Sequence, residues 1–242
     1  MGIGGSASND VGCGMLAALG VRFLDSEGAL LEPHPKGLMQ CANIDCSQQI
    51  ALPEILVACD VDNPLLGAHG AVRVYAPQKG ALEDDFVALE SMLGRIVNLA
   101  NGHEASLVPG AGAAGGLGFG LLQFCGASPV PGFDLMAKEI GLLDKIRASD
   151  VVITGEGKLD DQTLRGKGPA GVARMAKELG KKVAVISGLV ELSGNKASNL
   201  FDHIYELHDP SRSLEQTIQC GESLLIEKTA ELAEALKRES EL

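Results

Sequence analysis

No tryptophan occurs in this chain, and aromatic residues make up only 3% of it. Its core therefore has to be assembled from Ala, Leu, Val and Ile. At 45% hydrophobic residues there is enough apolar side chain to do so, which argues against disorder. The 31 glycines suit a core of small residues, because glycine lets backbones approach each other and a ligand closely. No CxxC pair occurs. The six cysteines (Cys13, Cys41, Cys46, Cys59, Cys125, Cys220) are scattered, which reads as free thiols in a reducing cytoplasm rather than a disulfide framework or zinc site. The five histidines lack metal-ligand spacing. The Gly-x-x-x-x-Gly-Lys-Ser/Thr phosphate loop, the protein-kinase signature set and the Gly-x-Ser-x-Gly elbow are all missing.

Positive charge is also scarce. Against 32 acidic residues stand 20 Lys and Arg, a net charge of −12. A nucleic-acid partner is not expected, since a phosphate backbone needs clustered cations. A small anion remains possible, because a few local cations and backbone N–H groups suffice to hold one. No run is long enough for a membrane span, and the N-terminus shows no secretory pattern. The expected location is the cytoplasm.

The 242 residues admit one large domain or two small ones. After a loop-type run at Gly2–Ser6, a helix is expected with Asn9 or Asp10 at its N-cap, Gly20 beyond its end, and Val11, Met15 and Leu19 on its apolar face. Ile55–Cys59 and Ala71–Tyr75 read as strands. Glu83–Ala100 reads as an amphipathic helix through Phe86, Leu89, Leu93, Ile96 and Val97. The Gly/Ala-rich run from Pro109 leads straight into Leu121, Leu122 and Phe124, so it reads as a closely packed small-residue helix rather than a linker. From Val151 the pattern becomes α/β alternation. Strand 151–154 is followed by a Gly155–Gly157 turn, helix 169–179, strand 183–186 and strand 203–207. A last helix opens on a capping box at Ser213, with Leu214, Ile218, Leu225, Leu232 and Leu236 sharing a face. A boundary is placed near Arg147, and no internal repeat is seen.

Four clusters carry chemistry. In the first, Gly2 to Asp10, a glycine-rich loop enters a helix; Gly4, Gly5, Ser6 and Asn9 are candidate ligands for phosphate or carboxylate, and Asp10 for a metal. In the second, Asp60 ends a buried strand, where α/β sheets bind ligands, though an Asx-turn into Pro64 is a serious competing reading. The third places Lys79 in a turn, either a phosphate cation or simply solvated. The fourth, Thr154 to Thr163, is the densest. Gly155, Glu156 and Gly157 would approach phosphate, Lys158 and Lys167 would neutralise its charge, and Asp160 would do metal or proton work. Read without further comparison, each cluster could instead be a solvated or capped loop.

The runs GIGGSASND, CDVDNPLLG followed by PQKG, PGAGAAGGLG, and TGEGKLDDQT followed by GK occur in this order in glycerate kinases of the bacterial type. The chain resembles that family over essentially its whole length. The resemblance implies transfer of the γ-phosphoryl group of ATP to a hydroxyl of glycerate, usually giving 2-phosphoglycerate, with Mg²⁺ as the metal. It also implies an α/β fold of two domains. Residues 1–147 would form the restriction-endonuclease-like one, and 148–242 the C-terminal part of a flavodoxin-like one. Val11 stands where the family often has glycine. Family members carry a segment before the first motif, so the flavodoxin-like domain is expected to be incomplete here and activity of the chain alone to be low. ATP and glycerate are the expected partners, with a homodimer possible. The alternative is a non-catalytic, anion-binding or self-associating fragment.

Overall fold

The computed structural model describes residues 1–161, 163, 168–192 and 199–241. It is an α/β protein with two compact units, Met1–Leu135 and Met136–Leu242. The boundary expected near Arg147 falls inside the second unit. The chain passes from one unit to the other within helix α7 (Gly132–Glu139).

In the first unit, α1 (Cys13–Ala18) leads to the antiparallel pair β1 (Arg22–Leu24) and β2 (Asn43–Asp45), with α2 (Pro35–Leu38) between them. Strand β3 (Leu56–Ala58) pairs in parallel with β4 (Ser128–Val130). Gly2 bridges in parallel to Ala58, and the Ala58 N–H donates to the Met1 carbonyl at 2.8 Å. The glycine-rich loop and Asp60 therefore leave neighbouring parallel segments at the same end.

Helix α4 (Glu83–Leu99) forms as its pattern requires. Asp85 accepts from the Leu82 N–H at 2.9 Å, three acidic residues occupy the positive first turn, and Phe86, Met92, Leu93, Ile96 and Val97 are buried on one face. That face packs with Val11, Leu16, Phe23, Leu38, Leu65 and Phe119. In α1 the buried residues are Cys13 and Leu16, whereas Met15 and Leu19 are only half-buried. The helix starts late because Val11 and Gly12 are both left-handed.

Ala71–Tyr75 is a helix, α3, and not the expected strand. Its β-branched alternation suggested extension, but Gly70 packs against the backbone of Leu65 and Leu66 and the Ala71 N–H donates back to the Leu65 carbonyl, turning the chain sharply. Residues Pro77–Lys79 continue the turn as 3-10 helix. After α5 (His103–Leu107) comes α6 (Ala113–Cys125), which is kinked where Ala114, Gly115 and Gly116 all take positive φ. The small-residue run is thus a left-handed corner opening into a helix.

In the second unit, after α8 (Leu142–Arg147), β5 (Val151–Asp160), β6 (Lys182–Glu191) and β7 (His203–Glu206) form a parallel sheet in that order. Alternation along β6 decides its two faces. Val183 and Val185 pack with Ala173 and Ala176 of α9 (Pro169–Glu178), while Ala184 and Ile186 pack with Leu232 of α11 (Gly221–Ser240). Covering on both sides is what parallel sheets require.

Two expectations fail here. Gly155–Gly157 is not a turn: β5 runs straight through it, paired in one register with β6 on both sides of Gly157. And the last helix is two. The Ser213 capping box opens α10 (Leu214–Gln219), the helix breaks at Cys220, and α11 starts in a new phase. Leu224 and Leu232 are buried, whereas Leu214, Ile218 and Leu225 are exposed.

Candidate functional site

A cavity of about 240 Å³ lies in the first unit, at the end of its parallel strands. Gly4, Gly5 and Ser6 form one wall, Asp60 a second, and Tyr75, Gln78 and Lys79 a third. Ligands of α/β sheets gather at such strand ends. Five residues singled out from sequence, Gly4, Gly5, Ser6, Asp60 and Lys79, thus meet around one space.

Lys79 is the cation of this cavity. Its Nζ donates to Ser6 Oγ at 2.8 Å, to the Ser8 carbonyl at 2.7 Å and to Asn9 Oδ1 at 3.4 Å. Burial lowers its pKa, and the charge of Asp10 works in the opposite direction. Asn9 is buried and acts behind the loop. Asp10 faces the helix start, where its Oδ1 accepts from the Gly12 N–H at 2.9 Å.

Asp60 is exposed, and its Oδ1 accepts from the Gly132 N–H at 2.9 Å. Any side chain at Gly132 would sit 2.8 Å from Asp60 Oδ2. The loop after Asp60 is fixed by Asn63. Its Oδ1 accepts from Tyr75 Oη at 2.5 Å, its Nδ2 donates to the His69 carbonyl at 2.8 Å, and its carbonyl accepts from Gly112 N–H. The Tyr75 phenol is pushed up in pKa by burial, with Cys59 and Asp62 adding to it.

The Gly/Ala-rich corner is the floor beneath both loops. The Gly115 carbonyl accepts from Asp10 and Val11 N–H, and a Cβ on Gly115 would lie 1.9 Å from the Ser8 carbonyl and 2.8 Å from Lys79 Nζ. Only glycine fits there, on space as well as on its φ of 70°. Tyr75, Gln78 and Cys59 escaped the sequence reading. The available signal was that Tyr75 precedes Lys79 by four residues, helical spacing, but the segment read as strand.

In the second unit the charged residues of the fourth cluster share one face of β5. Thr154, Glu156, Lys158 and Asp160 alternate with Gly155, Gly157 and Leu159. Gly155 and Gly157 are strand glycines in close contact with β6: a Cβ on Gly155 would lie 2.6 Å from the Ile186 carbonyl, and one on Gly188 2.5 Å from that of Gly157. Lys158 pairs with Glu191 at 2.6 Å, and that hydrogen bond raises its pKa. Asp160 closes the strand end: its Oδ1 accepts from the Thr163 N–H at 3.1 Å, and its own N–H donates to Thr163 Oγ1 at 3.3 Å. Among the described residues, Glu156 Oε1 is buried without a hydrogen-bond partner. Lys167 lies outside the described residues.

Among the described residues no group of three potential metal ligands is assembled. Magnesium often arrives with a substrate's phosphates and takes only one or two protein carboxylates. The orphaned oxygen of Glu156 and the carboxylate of Asp160 are donors of that class. Along a strand, residues four apart stand on the order of 13 Å from each other, so one ion would use one of them. No helix among the described residues is long and apolar enough to cross a membrane.

An α/β protein with a small cavity at its strand ends, walled by a glycine-rich loop, a half-buried lysine and an aspartate, has the features of an enzyme for small anionic substrates. Comparison with known proteins narrows the class. The model of the glycerate kinase family matches residues 1–237, and the chain belongs to that family. It is 42% identical to a glycerate kinase of Halalkalibacterium halodurans over 96% of this chain and 63% of that one. It is 41% identical to the glycerate 2-kinase of Escherichia coli over 78% of this chain and 51% of that one. A crystal structure from Salmonella typhimurium LT2, of a protein provisionally named glycerate kinase 2, superposes with a TM-score of 0.82 at 36% identity, covering 99% of this chain and 64% of that one. The chain thus spans less than two thirds of the length of these relatives.

Proposed function

We propose that this chain carries the glycerate site of a glycerate kinase, which moves the γ-phosphoryl group of ATP to the 2-hydroxyl of glycerate. The observation that supports this most is the cavity shared by Gly4, Gly5, Ser6, Asp60 and Lys79, in a chain of this family. Its size, about 240 Å³, suits a three-carbon hydroxy acid. Backbone N–H groups of the glycine loop and the Ser6 hydroxyl would receive the substrate carboxylate beside the Lys79 charge. Asp60, oriented by the Gly132 N–H, would accept the hydroxyl proton as the substrate oxygen bonds to the γ-phosphorus. The bond from that phosphorus to the bridging oxygen breaks, and ADP leaves with the electron pair. Most of the acceleration comes from alignment and charge neutralisation.

In the second unit, Lys158 would exchange its Glu191 partner for phosphate oxygens, with Gly155, Glu156 and Gly157 on the same strand; Lys167 would be a further phosphate cation. Asp160 or Glu156 would hold the magnesium that accompanies ATP, which when bound draws negative charge off the phosphates. The parallel β5–β6–β7 sheet is on this reading the flavodoxin-like part. ATP and glycerate are the small-molecule partners.

The test is glycerate-dependent ADP release by the purified protein, with the product assigned by phosphorus NMR. The expected product is 2-phosphoglycerate, and Asp60→Asn should lower kcat by about a hundredfold or more with little change in melting temperature. Release of ADP that does not depend on glycerate, or an Asp60→Asn variant that turns over normally, would sink the reading.

A further inference from the structure

We infer that α3 and its 3-10 extension act as a two-point clamp, in which Lys79 and Tyr75 are positioning residues that hold the two loops of the cavity rather than groups that touch the reacting atoms. The turnover part of this inference rests on the proposed glycerate site; the clamp itself rests on geometry alone.

Tyr75 and Lys79 are joined by continuous helical backbone through Ala76, and both line the cavity. One reaches Asn63 in the loop that follows Asp60. The other reaches Ser6, Ser8 and Asn9 in the glycine-rich loop. An ammonium has three hydrogens and no acceptor, and three acceptors of the loop stand around this one. All three are uncharged: a hydroxyl, a backbone carbonyl and a side-chain amide oxygen. The loop thereby takes on the lysine's positive charge through uncharged partners, offset in part by the charge of Asp10. A substrate anion would meet that charge through Ser6 and the loop backbone.

The loop needs such an anchor. Gly4 and Gly5 have open space where a Cβ would be, and Gly5 is left-handed, so few packing contacts hold this stretch. Beyond it the Gly115 carbonyl takes over, accepting from Asp10 and Val11. Asn63 is the corresponding anchor on the other side. Its amide is fully oriented by Tyr75 and the His69 carbonyl, and its own carbonyl binds Gly112. The short helix thus fixes the distance between the loop expected to bind the anion and the loop bearing Asp60.

The two contacts should have separable signatures. Losing the Lys79 anchor loosens anion binding, so Lys79→Met should raise KM for glycerate about tenfold or more while changing kcat less. Losing the Tyr75 hydroxyl frees the Asp60 loop, so Tyr75→Phe should lower kcat about tenfold with KM within about twofold. Misplacement by an ångström can cost on that order or more. A merely structural role would lower the melting temperature and leave both constants of the folded fraction unchanged.

The decisive measurement does not need turnover. Amide hydrogen exchange of the full chain without ligand should show the Asp10 and Val11 amides exchanging at least about tenfold faster in Lys79→Met. The Gly112 amide should do so in Tyr75→Phe, with α4 amides unchanged in both. Ser6→Ala, which removes one acceptor only, should give a smaller acceleration at Asp10 and Val11, and serves if Lys79→Met does not fold. Exchange unchanged at these amides overturns the clamp, whatever the enzyme does. Accelerated exchange in the variants, combined with a wild-type protein that ignores glycerate, upholds the clamp and overturns the substrate assignment. Accelerated exchange with KM and kcat both unmoved shows that these residues do not position the site, and overturns the inference.

Discussion

Val11 is a buried, β-branched residue held at φ 54°, a conformation that such side chains adopt only under constraint. It stands where the resembling family often has glycine, and the left-handed backbone gives the physical reason for glycine there. Strain of this kind costs about 1–3 kcal/mol. Burying a valine side chain contributes a similar amount, about 1.5–3 kcal/mol. Val11→Gly releases one and loses the other, so it should change stability by no more than about 2 kcal/mol. Leu16 lies in the same core on ordinary helical backbone. Leu16→Ala has no strain to release and should cost about 2–5 kcal/mol. Urea denaturation of both variants makes the comparison. Equal losses would show that Val11 stores no strain.

At the scale of elements, β5 teaches the most. A Gly-x-Gly run with three charged neighbours looks like a turn, yet it forms ten residues of strand. The glycines serve approach between strands, because Gly188 faces the Gly157 carbonyl with no room for a Cβ. Gly188→Ala should therefore destabilise the protein by about 1–3 kcal/mol through overpacking. Gly221→Ala, where a Cβ meets nothing within 4 Å, should be neutral or slightly stabilising. Thermal melts of the two decide it, and an equal effect would mean that β5 and β6 can separate freely. Helix α4, the parallel sheet and α9 were legible because their apolar periodicities are long. Helix α3 was not, since five residues carry no reliable period and a turn at Gly70 decided the outcome. Val151–Thr154 announced a strand, but its continuation depends on backbone partners in β6 that local sequence does not reveal. The candidate site was legible as motifs. Gly4, Ser6, Asp60 and Lys79 were found separately, and only the fold could show that they line one space. Tyr75 was hidden by the wrong period.

For the molecule as a whole, a net charge of −12 and the anion binding proposed for the cavity pull in opposite directions. Long-range attraction cannot deliver an anion to such a surface, so binding has to rely on short contacts such as those around Lys79 and the glycine loop. The same surplus charge repels itself and weakens the compact state. Opposing this are surface ion pairs such as Arg147–Asp144 at 3.0 Å and Arg238–Glu234 at 3.4 Å, both exposed and each worth about 0–1 kcal/mol. Salt acts on the two unequally. Raising ionic strength from about 0.01 M to 0.15 M shortens the screening length from about 30 Å to about 8 Å. Repulsion between charges tens of ångströms apart is then largely removed, while contacts near 3 Å are only weakened. The melting temperature should therefore rise with sodium chloride over this range, by about 2–4 °C if roughly 1 kcal/mol of repulsion is screened. Scanning calorimetry at fixed pH measures it. A melting temperature that falls instead would mean that the local ion pairs outweigh the surplus charge, and that the acidic surface is better compensated than its net charge implies.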